Sequence, residues 1–328
     1  MYPWIGAGCS ESLHPANSWI VKLASQTPNS PLYSQFSMQK LLVTGASGFL
    51  GWNLCQVAAP QWQVYGTYCM HPVEIEKVTL LKTDLQDFQQ LKELLNQLQP
   101  DAVVHLAAQS SPNGCESQPK ESYRLNVTVP CNFAGLCADS HIPLVFTSTD
   151  LVFNGLNPPY QEADPVSPVN RYGEQKAKAE EEVLSRYPEA VVCRMPLMFG
   201  AVPPTASTFL QLSLQILRNG QDLKLFTDEF RTPVSGTTAA QGLLLALKQV
   251  QGRVHLGGRE RISRYEFGQL LMQVFDLPTA RLIACRQEDI PMAATRPPDV
   301  SLDSAKAFSI GYSPPSLQEA LAALQGML

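Results

Sequence analysis

In the stretch RYGEQKAKAE, residues 171–180, Tyr172 stands four residues ahead of Lys176. Four residues is about one helical turn, so in a helix the two side chains share a face. The pair reads either as an ordinary solvated helix start, with an aromatic ring on an aliphatic stem, or as a proton donor with its tuner. The spacing alone leaves both open. A second stretch, VTGASGFLG at residues 43–51, sets Gly45, Gly48 and Gly51 in a G-x-x-G-x-x-G pattern, with Ser47, Phe49 and Leu50 between them. Glycine lets a backbone turn tightly and approach a pyrophosphate closely, and a following helix offers its free N–H groups to the charge. Placed between a strand and a helix, this loop predicts dinucleotide binding.

The end of the second strand decides which dinucleotide. A carboxylate there binds the adenosine ribose hydroxyls of NAD. Here the residues are GTYCMHP, 66–72, with no Asp or Glu to repel a 2′-phosphate. No arginine is present either, so the phosphate would rely on His71, on hydroxyls or on a more distant cation. The reading is NADP (as NADPH), with NAD as the alternative.

The elements that must position these residues follow from the apolar pattern. KLLVTG (40–45), QVYGTY (63–68), VTLLKTD (78–84), DAVVHLAA (101–108), PLVFTSTD (143–150) and AVVCRM (190–195) read as strands. FLGWNLCQVAA (49–59), LQDFQQLKELLNQLQ (85–99), RLNVTVPCNFAGLCADS (124–140) and the Tyr172 segment alternate with them as helices; Pro130 falls in or near a first turn. Near-continuous apolar strands alternating with helices predict an α/β fold, a doubly wound parallel sheet covered on both faces, the Rossmann arrangement. After about Met195 the rhythm weakens. Helices are expected over 207–220, 237–250, 263–277 (with Ser263 as N-cap) and 316–328, and strands over 223–228 and 253–258. The expected organisation is a dinucleotide-binding domain over 38–195 and a smaller C-terminal substrate-binding lobe over 196–328, partly interleaved with the sheet.

Residues 1–37 are rich in Ser, Pro and Asn, contain no arginine and lack the charged start and apolar middle of a secretory signal. They read as a poorly ordered extension or as sequence upstream of a true start at Met38. The 328 residues are 45% hydrophobic and 16% charged, a globular composition, and the net charge of −5 gives no reason to expect nucleic acid or an anionic membrane as partner. No apolar run approaches a bilayer span. Eight scattered cysteines, none in a C-x-x-C pair, read as reduced thiols of a cytoplasmic protein. Cys69 and His71 are close, but no second ligand pair has metal spacing, and no metal is expected.

Together VTGASGFLG, HLAA (105–108), STD (148–150), RYGEQK (171–176) and RPPDVSLDSAKAFSIGYSPPSLQEAL from Arg296 resemble the extended short-chain dehydrogenase/reductase family. STDLVFNG followed by YQEADPVSPVNRYGEQKAKAE most resembles its dTDP-4-dehydrorhamnose reductase branch. The resemblance implies NADPH-dependent reduction of the 4-keto group of a dTDP-linked deoxysugar. It implies Tyr172 as proton donor and Lys176 as the cation that lowers the tyrosine pKa from about 10 and bonds the nicotinamide ribose. Thr149 would be the hydroxyl on the substrate oxygen, with Ser148 taking that place if the register differs by one. Ala107 and Ala108 would line the cofactor, or simply pack closely. Asp84, next to Leu85, would bind the adenine or else cap the next helix. Arg231 and Arg296 would grip a nucleotide diphosphate, since guanidinium matches phosphate oxygens bidentately, or would form surface ion pairs.

The pattern departs in three places. Pro112, Asn113 and Cys115 stand where the branch carries an apolar–Asp–x-Ala-Glu phrase. Leu197 stands where it carries a tryptophan near the sugar. The branch's metal-assisted dimer contact has no identifiable counterpart, although a homodimer fits the family. Two other functions fit the scaffold. One is a cofactor-holding regulatory subunit resembling the β subunit of methionine adenosyltransferase. The other is a nucleotide-sugar epimerase or dehydratase, for which Asp150 lacks an adjacent Glu.

Overall fold

The structure, a computed structural model, describes residues 38–204, 206–277 and 281–327. The expected poorly ordered extension and the proposed start at Met38 concern residues 1–37, which lie outside the described residues.

The chain runs β1 (Lys40–Thr44), α1 (Phe49–Ala58), β2 (Gln63–Tyr68), β3 (Val78–Lys82), α2 (Phe88–Leu98), β4 (Ala102–His105), α3 (Pro112–Ser117), α4 (Pro119–Tyr123), α5 (Val129–Asp139), β5 (Leu144–Thr149), α6 (Arg171–Arg186) and β6 (Val191–Met195). It continues through β7 (Met198–Phe199), α7 (Phe209–Arg218), β8 (Asp222–Phe226), β9 (Phe230–Arg231), β10 (Val234–Ser235), α8 (Gly236–Gln249), β11 (Gly252–His255), β12 (Ile262–Ser263), α9 (Arg264–Val274), β13 (Arg281–Cys285), α10 (Ala305–Ser309) and α11 (Leu317–Ala322).

Seven parallel strands form one sheet in the order β11-β6-β5-β4-β1-β2-β3. Strand side chains alternate between faces, and here both sets are apolar. Leu41 and Val43 join one core with Leu54 of α1 and Leu243 of α8. Leu42 joins the other with Leu95 of α2, Phe133 of α5 and Val183 of α6. The direction of the chain reverses between β1 and β4, and a crevice opens at the carboxyl ends of those strands. β11 lies at the sheet edge although it follows β10 in sequence. Beyond β6 come three two-stranded pairs (β7/β10, β9/β12, β8/β13); Phe199, Leu210, Phe267 and Leu321 share one further core with α7, α9 and α11, and Leu223 and Leu225 of β8 join Leu217 of α7 in another.

Three local expectations differ from the structure. β4 ends at His105 rather than at the alanines, because the N–H groups of Leu106 and Ala107 turn to Thr44 Oγ1 at 3.0 and 3.1 Å. Arg124–Thr128 forms a π-turn leading into α5, with Pro130 in the first turn after it, where a missing N–H is tolerated. The last helix stops at Ala322, followed by turns and Gly326 at φ 83°.

Candidate active site

The glycine loop is built by close approach. Gly45 has φ 70°, and a Cβ on it would stand 3.0 Å from Ala107 Cα. A Cβ on Gly51 would meet the Gly45 carbonyl oxygen at 2.2 Å, so α1 can start this close to the loop only with glycine there. Gly48 caps α1 without a side chain, and no acidic residue occupies the first turn, so the N–H end of the helix faces the crevice unobstructed. Thr44 holds the other wall. Its hydroxyl oxygen accepts from Leu106 and Ala107 and lies 2.8 Å from His105 Nδ1. Burial, and then the charge of Lys176, push His105 down to about 3, so the imidazole is neutral.

The start of α6 brings Tyr172 and Lys176 to the cavity. Asn170 caps it by accepting from Gly173 N–H at 2.9 Å, and Asn170 Nδ2 donates to Thr295 O at 2.9 Å. A Cβ on Gly173 would lie 2.2 Å from Leu151 O, so the bare glycine lets the helix rest on the chain leaving β5. The buried positions of α6 include Tyr172, Lys176, Ala179, Glu180 and Val183, one face at helical spacing. Arg194 of β6 binds Glu180 at 2.7 Å with both side chains 1% exposed, which fixes that face to the sheet.

Tyr172 packs with Cys115 and Leu151 and takes a hydrogen bond with Thr149. Its pKa moves opposite to expectation. Burial first, then Asp150 and Cys115, push the phenol up, and Lys176 does not bring it down. Lys176 is itself pushed down to about 7 by burial, its ammonium donating to Thr147 O at 2.8 Å and lying 4.5 Å from the centre of the Phe146 ring. Thr149 Oγ1 donates to Asp150 Oδ1 at 3.1 Å and accepts from Leu151 N–H at 3.2 Å. Ser148 Oγ is buried with no hydrogen-bond partner among the described residues.

These groups line one cavity of about 700 Å³ at the carboxyl ends of the strands. Every residue singled out from the sequence for cofactor, chemistry or substrate lines it, except His71. His71 is exposed, and the lining at the end of β2 runs from Thr67 to Met70. Asp84 lines the cavity without capping α2; Asp87 does that, accepting from Gln89 and Gln90. Leu197 and Pro112, at two of the departures from the family pattern, also line it, and Asn113, beside Pro112, accepts from Arg296 Nη2 at 3.2 Å.

Arg231 is ion-paired, but in the interior and not at the surface. It binds Asp150 Oδ1 at 2.8 Å and Glu229 at 3.3 Å, and its exposure is 5%. Arg264, which the sequence reading did not pick out, shares Glu229 at 3.0 Å and lines the same wall. Ser263 and Glu266 form a capping box that sets Arg264 at the first position of α9; that box is legible in the sequence, its location against the cavity is not. Arg231 Nε and Arg264 Nη1 are buried without partners among the described residues. With Arg296, three guanidinium groups face two carboxylates, leaving an excess of positive charge with free N–H donors, a setting that suits a multiply charged anion.

The family described as RmlD substrate binding domain matches residues 38–326. The chain is 31% identical over 289 residues to the probable low-salt glycan biosynthesis reductase Agl14 of Haloferax volcanii, covering 86% of this chain and 96% of that one. It is 29% identical to methionine adenosyltransferase 2 subunit beta of Rattus norvegicus, covering 83% of each. Among solved structures, a dTDP-4-dehydrorhamnose reductase from Clostridium acetobutylicum superposes with a TM-score of 0.77 at 23% identity, over 88% of this chain and 99% of that one, a likeness of fold.

Proposed function

This chain belongs to the RmlD substrate-binding domain family, and from that premise we propose that it is an NADPH-dependent reductase of the 4-keto group of a nucleotide-linked deoxysugar, with dTDP-4-dehydrorhamnose as substrate. The observation that carries this reading is the convergence of Thr149, Tyr172 and Lys176 on the cavity that also contains Gly45, Gly48 and Gly51.

The residues present fit the dinucleotide. Side chains at Gly45 or Gly51 would fill its cradle, and the lining from Thr67 to Met70 holds no carboxylate against a 2′-phosphate. The lining cations bond elsewhere than the end of β2, Lys176 to Thr147, Arg231 to Asp150, Arg264 to Glu229 and Arg296 to Asn113, so the 2′-phosphate would meet neutral donors and NAD is the alternative. When bound, the reduced nicotinamide supplies the hydride to the sugar carbonyl carbon. Tyr172, kept as phenol by its burial, delivers its proton to the carbonyl oxygen as negative charge develops there. The Thr149 hydroxyl orients that oxygen, and the Lys176 ammonium would bond the nicotinamide ribose. Arg231, Arg264 and Arg296 hold the diphosphate and fix the sugar in reach.

The test is NADPH consumption by the purified protein with dTDP-4-dehydrorhamnose supplied, the product identified as dTDP-rhamnose. A second reading draws on the likeness to methionine adenosyltransferase 2 subunit beta: a regulatory subunit that holds the cofactor without turnover. The assembled Thr149, Tyr172 and Lys176 weigh against it. Capture of a catalytic partner subunit, with no keto-sugar reduced, would favour it.

A further inference from the structure

Ser148, Thr149 and Asp150 close the end of β5, and all three line the cavity. Asp150 is 2% exposed. Its Oδ1 is clamped from two sides, by Arg231 Nη1 at 2.8 Å and by the Thr149 hydroxyl at 3.1 Å. Arg231 is in turn held by Glu229. The carboxylate is therefore oriented before any substrate arrives. Its second oxygen, Oδ2, is buried and has no hydrogen-bond partner among the described residues.

A bare carboxylate oxygen in the interior is costly, and natural structures seldom leave one without a donor. The clamp on Oδ1 prevents the group from turning elsewhere to find a partner. A donor entering the cavity is what remains. Oδ2 shares its carbon with the oxygen that takes the Thr149 proton, so it stands beside the hydroxyl that orients the reacting carbonyl. The part of a sugar that comes to Oδ2 is thus the substituent next to that carbonyl.

Resting on the reductase reading above, we propose that Asp150 is a specificity-determining residue: its free Oδ2 accepts a hydrogen bond from a hydroxyl on the carbon adjacent to the carbonyl being reduced. The site thereby selects keto-sugars that retain this hydroxyl over their deoxy counterparts. A substrate lacking the hydroxyl leaves that oxygen bare. Sites built to bond a substrate hydroxyl discriminate strongly against analogues without it.

The experiment compares two dTDP-4-keto-6-deoxyhexoses, one with and one without the hydroxyl on carbon 3, as substrates of the full chain with NADPH. The wild type is expected to favour the hydroxylated sugar by about 100-fold or more in kcat/KM. Asp150→Asn, of nearly equal volume, is expected to reduce that preference at least about tenfold while its NADPH affinity stays unchanged. A preference unchanged in the variant, or absent in the wild type, overturns the proposal. Calorimetric binding of the two corresponding 4-hydroxy sugars to the wild type reads the same contact without turnover or a variant. Discrimination there without any reduction would keep the hydroxyl contact and remove the reductase reading; equal binding would overturn the contact.

Discussion

Lys176 Nζ donates to the main-chain carbonyl of Thr147 at 2.8 Å, which ties the ammonium of α6 to the strand that ends in Ser148 and Thr149. One bond thereby fixes the distance between the two elements that carry Thr149 and Tyr172. It also keeps the cation in the interior, where burial brings its pKa down to about 7.

That burial has a signature in stability. The folded-state value of about 7 lies below lysine's ordinary 10.5, so between them the unfolded chain holds the proton and the folded chain does not. Stability contributed at this site therefore rises with pH from about 7 toward 10.5, and the penalty is complete below 7. Thermal unfolding between about pH 7 and 8.5, below the range where buried thiols titrate, should show the wild-type Tm climbing relative to Lys176→Met by about 2 °C per pH unit. A flat or falling difference contradicts a buried, depressed lysine.

The two neighbouring hydroxyls of β5 separate by mutation. Thr149, engaged with Tyr172, is placed to orient the carbonyl oxygen, and Thr149→Val should lower kcat by about 100-fold. Ser148→Ala should lower it less than about tenfold. Steady-state kinetics with the keto-sugar decide, and the reverse order would move the orienting role to Ser148.

Gly173 tests the seat of α6. Its missing Cβ leaves room for Leu151 O, which an added methyl would meet at 2.2 Å. Gly173→Ala should cost about 1–3 kcal/mol in denaturant unfolding and lower kcat, with NADPH affinity little changed, because the glycine loop is elsewhere. Equal loss of cofactor binding and turnover would mean that α6 and the loop move together.

Arg264 and Glu229 make the fourth case. Arg264→Gln removes a cation whose Nη1 is buried without a partner and whose Nε holds Glu229 at 3.0 Å. If it grips the substrate diphosphate in ground and transition state alike, KM should rise by about tenfold or more with kcat nearly constant. A fall in kcat at unchanged KM would show that it serves the reaction centre through Glu229, Arg231 and Asp150.

The sheet was legible because its strands are apolar on both faces; β2 spans the residues QVYGTY that the pattern marks out. The glycine loop was legible because its three positions are set by backbone approach, which only glycine permits. Tyr172 and Lys176 were legible through helical spacing and family resemblance. What could not be read was anything that depends on the interior meeting of distant segments. Asp150 and Arg231 lie in different lobes of the sequence, and their 2.8 Å pairing leaves no local pattern. Arg264 meets Glu229 at 3.0 Å across 35 residues, again without a local pattern. The upward shift of Tyr172 follows from how completely it is covered, so the expected lowering by Lys176 did not hold. His71, which the sequence offers a 2′-phosphate beside hydroxyls and a more distant cation, is exposed and outside the cavity lining.

The most direct measurement follows the hydrogen itself. The protein is incubated with NADPH deuterated at the transferable position and dTDP-4-dehydrorhamnose, and the sugar nucleotide is examined by mass spectrometry and NMR. A dTDP-6-deoxyhexose carrying one deuterium at carbon 4 is expected, with stoichiometric oxidation of the cofactor, and loss of this product by about 100-fold or more in Tyr172→Phe. Unlabelled or epimerised sugar, or equal labelling by Tyr172→Phe, would contradict it.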